Sequence, residues 1–226
     1  MIRRLTASAN RIEPMVRQRV RIRFSKLGNL RFIGHKDLLR AFESLFRRAK
    51  LPLAMSKGFH PKIKMSLPSA LALGVQSQDE ILELEFDENA DIIDIDHLLK
   101  EMNRASIKGL TFLSATDLTE GEKKAKLVSS VFEMNIPADK RQETAAKIPG
   151  LLAAESVEVT KANGKSVNLK ASLTQLSFDD ELGVLKAVFA SQDGPEGGVR
   201  ELMIALEMEK EYLSEILPVR TECRIC

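Results

Sequence analysis

The stretch Arg19-Val20-Arg21-Ile22-Arg23-Phe24 alternates strictly, which predicts a strand with Val20, Ile22 and Phe24 on one face and three arginines on the other. Over 36–49 the period lengthens to that of a helix. Leu38, Leu39, Phe42, Leu45, Phe46 and Ala49 form an apolar stripe opposite Lys36, Arg40, Glu43 and Arg47, and Pro52 follows closely. Short strands are predicted at about 52–56, 62–67 and 80–87, the last reading Ile81-Leu82-Glu83-Leu84-Glu85-Phe86 with alternating glutamates. A helix at about 95–104 and a strand near 110–115 complete a first unit.

Residues 119–126, Thr-Glu-Gly-Glu-Lys-Lys-Ala-Lys, have no apolar period and read as a linker. Beyond it a strand over 128–136 leads through Pro137 and Asp139 into a short helix ending at Pro149. Asn163-Gly164 joins two alternating runs, Val157/Val159 and Val167/Leu169/Ala171/Leu173, the strongest hairpin signal in the chain. A strand at about 184–190, a helix carrying Val199, Leu202, Met203 and Leu206, and a last strand over Val219–Ile225 follow. Each half thus reads strand, helix, three strands, helix, strand. The fold class expected is α+β, with two tandem ferredoxin-like units of the βαββαβ type, each with an added strand, at 17–118 and 127–226.

Charge changes this picture more than composition does. The whole chain is nearly balanced, 34 lysines and arginines against 32 acidic residues, yet residues 1–64 hold 17 basic side chains and only Glu13, Asp37 and Glu43. That is a balance of +14, leaving −12 for residues 65–226. Such asymmetry suits an anionic partner; the alternative is that the two parts neutralise each other within the fold or a dimer. The 44% hydrophobic content supports a real core, no apolar run is long enough to span a bilayer, and the N-terminus lacks a signal-peptide core, so the expected setting is cytoplasmic, with no membrane partner.

Two glycine-containing basic loops flank the first helix: Ser25-Lys26-Leu27-Gly28-Asn29-Leu30-Arg31-Phe32-Ile33-Gly34-His35-Lys36-Asp37 and Ser56-Lys57-Gly58-Phe59-His60-Pro61-Lys62. Glycine permits close backbone approach, a helix start offers unpaired N–H groups, and lysine and arginine neutralise phosphate. The expected RNA or anion contacts are Arg19, Arg21, Arg23, Lys26, Arg31, Lys36, Arg40, Lys57, Lys62 and Lys64. No P-loop or GxGxxG occurs in either loop. His35 and His60 are the candidate acid and base for cleaving RNA, against plainer roles in a helix cap and a Gly/Pro turn, which are favoured. Phe32 and Phe59 would stack on bases or, the favoured reading, plug the core. His97 reads as a surface or boundary residue, and the acidic pairs Glu83/Glu85 and Asp179/Asp180 as solvated faces and turns. Cys223 and Cys226 have the spacing of a metal half-site or redox pair, but on a strand an odd separation sends them to opposite faces; free thiols, no metal and no cofactor are expected.

The run RIRFSKLGNLRFIGHKDLLRAFESLFRRAKLPLAMSKGFHPKIKMSLPSALALGVQSQDEILELEF closely resembles the signature of the radical SAM-linked protein family, a bacterial domain of unknown function. Members lie beside, or are fused to, B12-binding radical SAM proteins, often near genes for a ribonuclease and ribosomal proteins. The resemblance implies an accessory partner of such an enzyme. The CxxxCxxC triplet for its iron–sulfur cluster is missing, so radical chemistry would belong to the partner. Paired ferredoxin-like units also occur in CRISPR repeat-processing endoribonucleases and some pseudouridine synthases, an analogy of fold only. The leading expectation is a non-catalytic protein that binds or presents tRNA or rRNA to a B12-binding radical SAM enzyme for RNA modification. The alternatives are a metal-independent endoribonuclease and a purely protein-docking subunit.

Overall fold

The computed structural model describes residues 17–161, 164–191, 197–209 and 214–226. Within them the chain is a mixed α+β protein with four α-helices and one large, mostly antiparallel sheet. The elements of the first half are β1 (Arg19–Lys26), α1 (His35–Arg48), β2 (Met65–Ser66), β3 (Gln76–Glu85), α2 (Ile95–Arg104) and β4 (Leu110–Leu118). Those of the second are β5 (Leu127–Asn135), α3 (Arg141–Ala153), β6 (Glu158–Thr160), β7 (Ser166–Asn168), β8 (Leu173–Asp179), β9 (Val184–Ala190), α4 (Val199–Ala205) and β10 (Val219–Ile225). Across the sheet the order is β4-β1-β3-β10-β5-β9-β8, with β2 also on β3. A short parallel pairing, Val219 with Gln76 and Arg220 with Ser77, joins the two halves.

The apolar side of β1 builds the first core as the alternation requires: Val20, Ile22 and Phe24 are buried beneath Leu38, Phe42, Leu45 and Phe46 of α1 and Leu98 and Met102 of α2. Phe24 meets Phe42 edge-on at 5.3 Å, and Phe42 stacks on Phe46 at 5.7 Å. Asp94 caps α2 by accepting from the Asp96 amide at 2.9 Å. A second core packs Ile148 and Leu151 of α3 and Val199, Leu202 and Met203 of α4 onto β5, β8 and β9. Both cores lie on one sheet face, because Arg220 reaches Glu80 on one side and lies over Phe132 on the other. Segment 67–75 crosses between them, Leu67 packing on the first core and Leu71 and Val75 on the second.

Several elements depart from the sequence pattern. The strands expected at 52–56 and 62–67 shrink to isolated pairings, Leu53 with Phe86 and Met55 with Ile63, plus the two-residue β2. Pro52, Pro61 and Pro68 supply no backbone donor, so longer ladders cannot form there. α3 continues past Pro149 to Ala153, because Ile148 and Leu151 on either side are held in the core. The run from Val167 to Leu173 is broken by a 3-10 turn over Leu169–Ala171, whose Asn168 side chain accepts from the Lys170 and Val157 amides at 3.0 Å each. β6 and β7 therefore form a separate hairpin; Gly164 in its turn has φ +80°, while Asn163 lies outside the described residues. Residues 119–126 have no regular structure, yet they pack on the sheet: Ala125 is buried and its amide donates to Glu83 at 3.0 Å.

No helix among the described residues is long and apolar enough to cross a membrane.

Candidate functional site

The arginine face of β1 is not an open cationic surface. Arg21 donates to the Glu83 carboxylate at 2.9 and 3.0 Å and pairs with Glu122 at 3.0 Å. Arg19 lies 3.8 Å from Glu83 and donates to the Glu122 carbonyl; Arg23 holds Asp79 at 2.6 Å. Lys64 pairs with Glu85 at 2.8 Å. Strand register explains this: β1 lies antiparallel to β3 with Arg21 opposite Glu83 and Arg19 opposite Glu85, so opposite charges meet directly across the ladder. Glu83 is correspondingly buried rather than solvated.

Lys26 also leaves the candidate set. It is fully buried, its Nζ donating to the Ile33 carbonyl at 3.2 Å, and desolvation lowers its ammonium below the ordinary value despite the pull of Glu80. Glu80 and Arg220 form a buried pair at 2.9 Å across the seam between the halves, and Arg220 also donates to the Ser69 hydroxyl at 2.8 Å. Half of the ten expected anion contacts are thus engaged inside the molecule.

The other half lie along α1 and the loops at its two ends. At its start Arg31 sits over the Phe32 ring at 4.5 Å, with Lys36 and Arg40 exposed on the first turns; Arg40 makes a local pair with Asp37. At its end Lys50 adopts a left-handed conformation, φ 52°, and the Leu51 amide bonds back to the Phe46 carbonyl at 3.1 Å, which reverses the chain. The returning chain pairs Met55 with Ile63, and the Ser56 amide donates to the Lys62 carbonyl at 2.7 Å. These bonds close a hairpin whose tip is Lys57-Gly58-Phe59-His60-Pro61, with Gly58 at φ +135°, where a side chain would be strained.

Phe59 at that tip is 102% exposed and Phe32 is 53% exposed, so neither plugs the core. Lys36, Arg47, Lys50, Lys57 and Lys62 are exposed and have no ion-pair partner among the described residues. Sequence reasoning left out Arg47 and Lys50, which join the surface only because the chain doubles back after α1. Between the end of α1 and the hairpin lies a cavity of about 600 Å³, floored by Phe46, Leu51, Leu53 and Ile63. Arg47, Lys50, His60 and Lys62 stand around it, with Glu43 the one carboxylate. Flat exposed rings beside unpaired cations suit a chain that alternates anionic groups with planar ones.

The two histidines do not share a site. His35 is the first residue of α1 and lines a small crevice with Lys26, Ser69 and Glu80, whereas His60 lines the large cavity at the far end of the helix. Neither cavity holds both histidines, so neither supplies a joint acid and base for one phosphodiester. His97 is exposed on α2. Both thiols are free: Cys223 is buried and Cys226 exposed. Burial pushes the Cys223 thiol up to about 11. At pH 8 a thiol reagent should therefore label Cys226 alone, and Cys223 only after denaturation; rapid labelling of both in the folded protein would contradict its burial.

The described residues define an α+β protein with an exposed cationic and aromatic surface on one helix and its adjoining hairpin. The chain belongs to a family described as uncharacterized proteins conserved in bacteria, DUF2344, whose sequence profile matches residues 19–200. No curated protein matches it.

Proposed function

We propose that this protein is an RNA-binding accessory module that presents RNA to a B12-binding radical SAM enzyme in the cytoplasm. The observation that carries the RNA part is a set of exposed cations without described ion-pair partners at both ends of α1, Lys36 with the exposed ring of Phe32 at its start and Arg47, Lys50, Lys57 and Lys62 with the exposed ring of Phe59 at its end. The enzyme partner rests on the resemblance of residues 17–87 to the radical SAM-linked proteins, and a domain without its own cluster motif fits a presenting role.

We also read the two halves, 17–118 and 127–226, as ferredoxin-like units joined by 119–126. Strand orders support this: in the first half β1 lies between β4 and β3 with β2 beyond, and in the second β5 lies between β10 and β9 with β8 beyond. Each order is that of a βαββαβ unit, and the β6–β7 hairpin is an addition in the second.

Filter binding of transfer and ribosomal RNA across a salt series tests the RNA part. Binding that weakens linearly in log–log form with salt is expected, and none at low salt would overturn it. Nuclease-resistant co-purification with the radical SAM enzyme tests the partner; free separation of the two would remove it.

A further inference from the structure

We infer that the cavity between the end of α1 and the 55–63 hairpin receives a single unstacked nucleobase from a bound RNA strand, an inference that rests on the RNA-binding reading. Its volume, about 600 Å³, lies within the range of small-molecule sites and exceeds what one base and its sugar require. The floor is apolar, formed by Phe46, Leu51 and Leu53, which are buried or half-buried, so a planar ring entering it displaces water from hydrocarbon.

The cationic residues that line the cavity are all exposed, and Glu43 is half-buried. Arg47 and Lys50 stand on the helix side and Lys62 on the hairpin side, so a strand passing over the cavity has a cation for the phosphate on either flank of the inserted base. Glu43, the only carboxylate in the lining, can accept from an exocyclic amine, whereas a phosphate placed against it would be repelled. A base inserted with its phosphates left at the rim satisfies both signs. Phe59, fully exposed at the hairpin tip, offers the next base a stacking surface.

Met55, 48% exposed in the cavity wall, provides the test, because enlarging it fills the site without removing a cation or disturbing the core. The 226-residue chain and its Met55→Trp variant are compared by fluorescence anisotropy for single-stranded RNA of mixed sequence and for the corresponding fully abasic strand. Wild type should bind the intact strand more tightly when a base is free to enter, and Met55→Trp should lose roughly tenfold in affinity. Its preference for the intact over the fully abasic strand should shrink to what stacking on the exposed rings of Phe32 and Phe59 supplies, while the wild-type salt slope and melting temperature are kept. Met55→Ala, which leaves the cavity open, should bind as wild type. Equal affinity of wild type and Met55→Trp for intact RNA would overturn base insertion while leaving RNA binding in place. Absence of salt-dependent binding to any RNA would overturn both.

Discussion

Replacing Arg220 by alanine should cost about 3–5 kcal/mol of folding stability, as much as truncating a fully buried phenylalanine. Arg220 and Glu80 are both buried, paired at 2.9 Å on the two strands that join the halves. Removing the guanidinium leaves a buried carboxylate with Ser77 and the more distant Lys26 charge to favour it. For a chain of this size the loss corresponds to a fall in melting temperature of roughly 10 °C. The effect should depend on pH in a defined direction. Burial already holds the Glu80 carboxyl above its ordinary value of 4.5 despite Arg220. A raised folded-state pKa means that this group's contribution is complete below the unfolded value and declines as pH rises through the folded one. Without Arg220 that pKa climbs further, so the variant should be least impaired near pH 5 and most impaired at pH 7 and above. Thermal melts across that range read this directly; a deficit that grows on acidification would contradict the buried pair. Arg220→Met, which fills the space but carries no charge, should follow the same profile.

The second large effect concerns Lys57 and Lys62. If each contacts one phosphate of a single strand, each contributes about 0.7 to the log–log salt slope. The double alanine variant should therefore show a slope shallower by about 1.4 and, near 0.1 M salt, an affinity lower by roughly 25-fold. Its melting temperature should be unchanged, because both side chains are exposed and without described ion-pair partners. Arg21→Ala should do the opposite. Its guanidinium is held between Glu83 and Glu122, so the slope should stay as in wild type while stability falls. A steeper loss of binding from Arg21→Ala than from the lysine pair would place the RNA on the other sheet face.

The contrast between these residues shows where sequence reading ends. The alternation of 19–24 predicts correctly which side of β1 is apolar, since a strand has only two faces and Val20, Ile22 and Phe24 share one. It cannot tell whether the arginine side meets solvent or carboxylates. That depends on which strand pairs with β1 and in what register, a relation between positions some 60 apart. The alternating glutamates of β3 carried the missing half, and the neutralisation of the basic segment by the acidic remainder, weighed as an alternative, accounts for Arg19, Arg21, Arg23 and Lys64. The helical stripe of α1 is fully legible, and so were its exposed Lys36 and Arg40. The cavity was not. It forms where Lys50, a residue with no turn preference of its own, closes α1 in a left-handed conformation and the Leu51 amide bonds back to the Phe46 carbonyl. Phe59 looked like a core plug because loop aromatics usually are; a hairpin closed by Ser56 and Lys62 carries it outward instead.

Photo-crosslinking of thiouridine-labelled single-stranded RNA to the full chain, with the modified peptides identified by mass spectrometry, is the most direct measurement of where RNA sits. Crosslinks should concentrate on the 57–62 hairpin, with Phe59 and His60 foremost, and on the start of α1 near Phe32. Crosslinks confined to β1 and β3 around Arg21 and Arg23, or to the C-terminal half, would contradict the assignment of RNA binding to α1 and its hairpin.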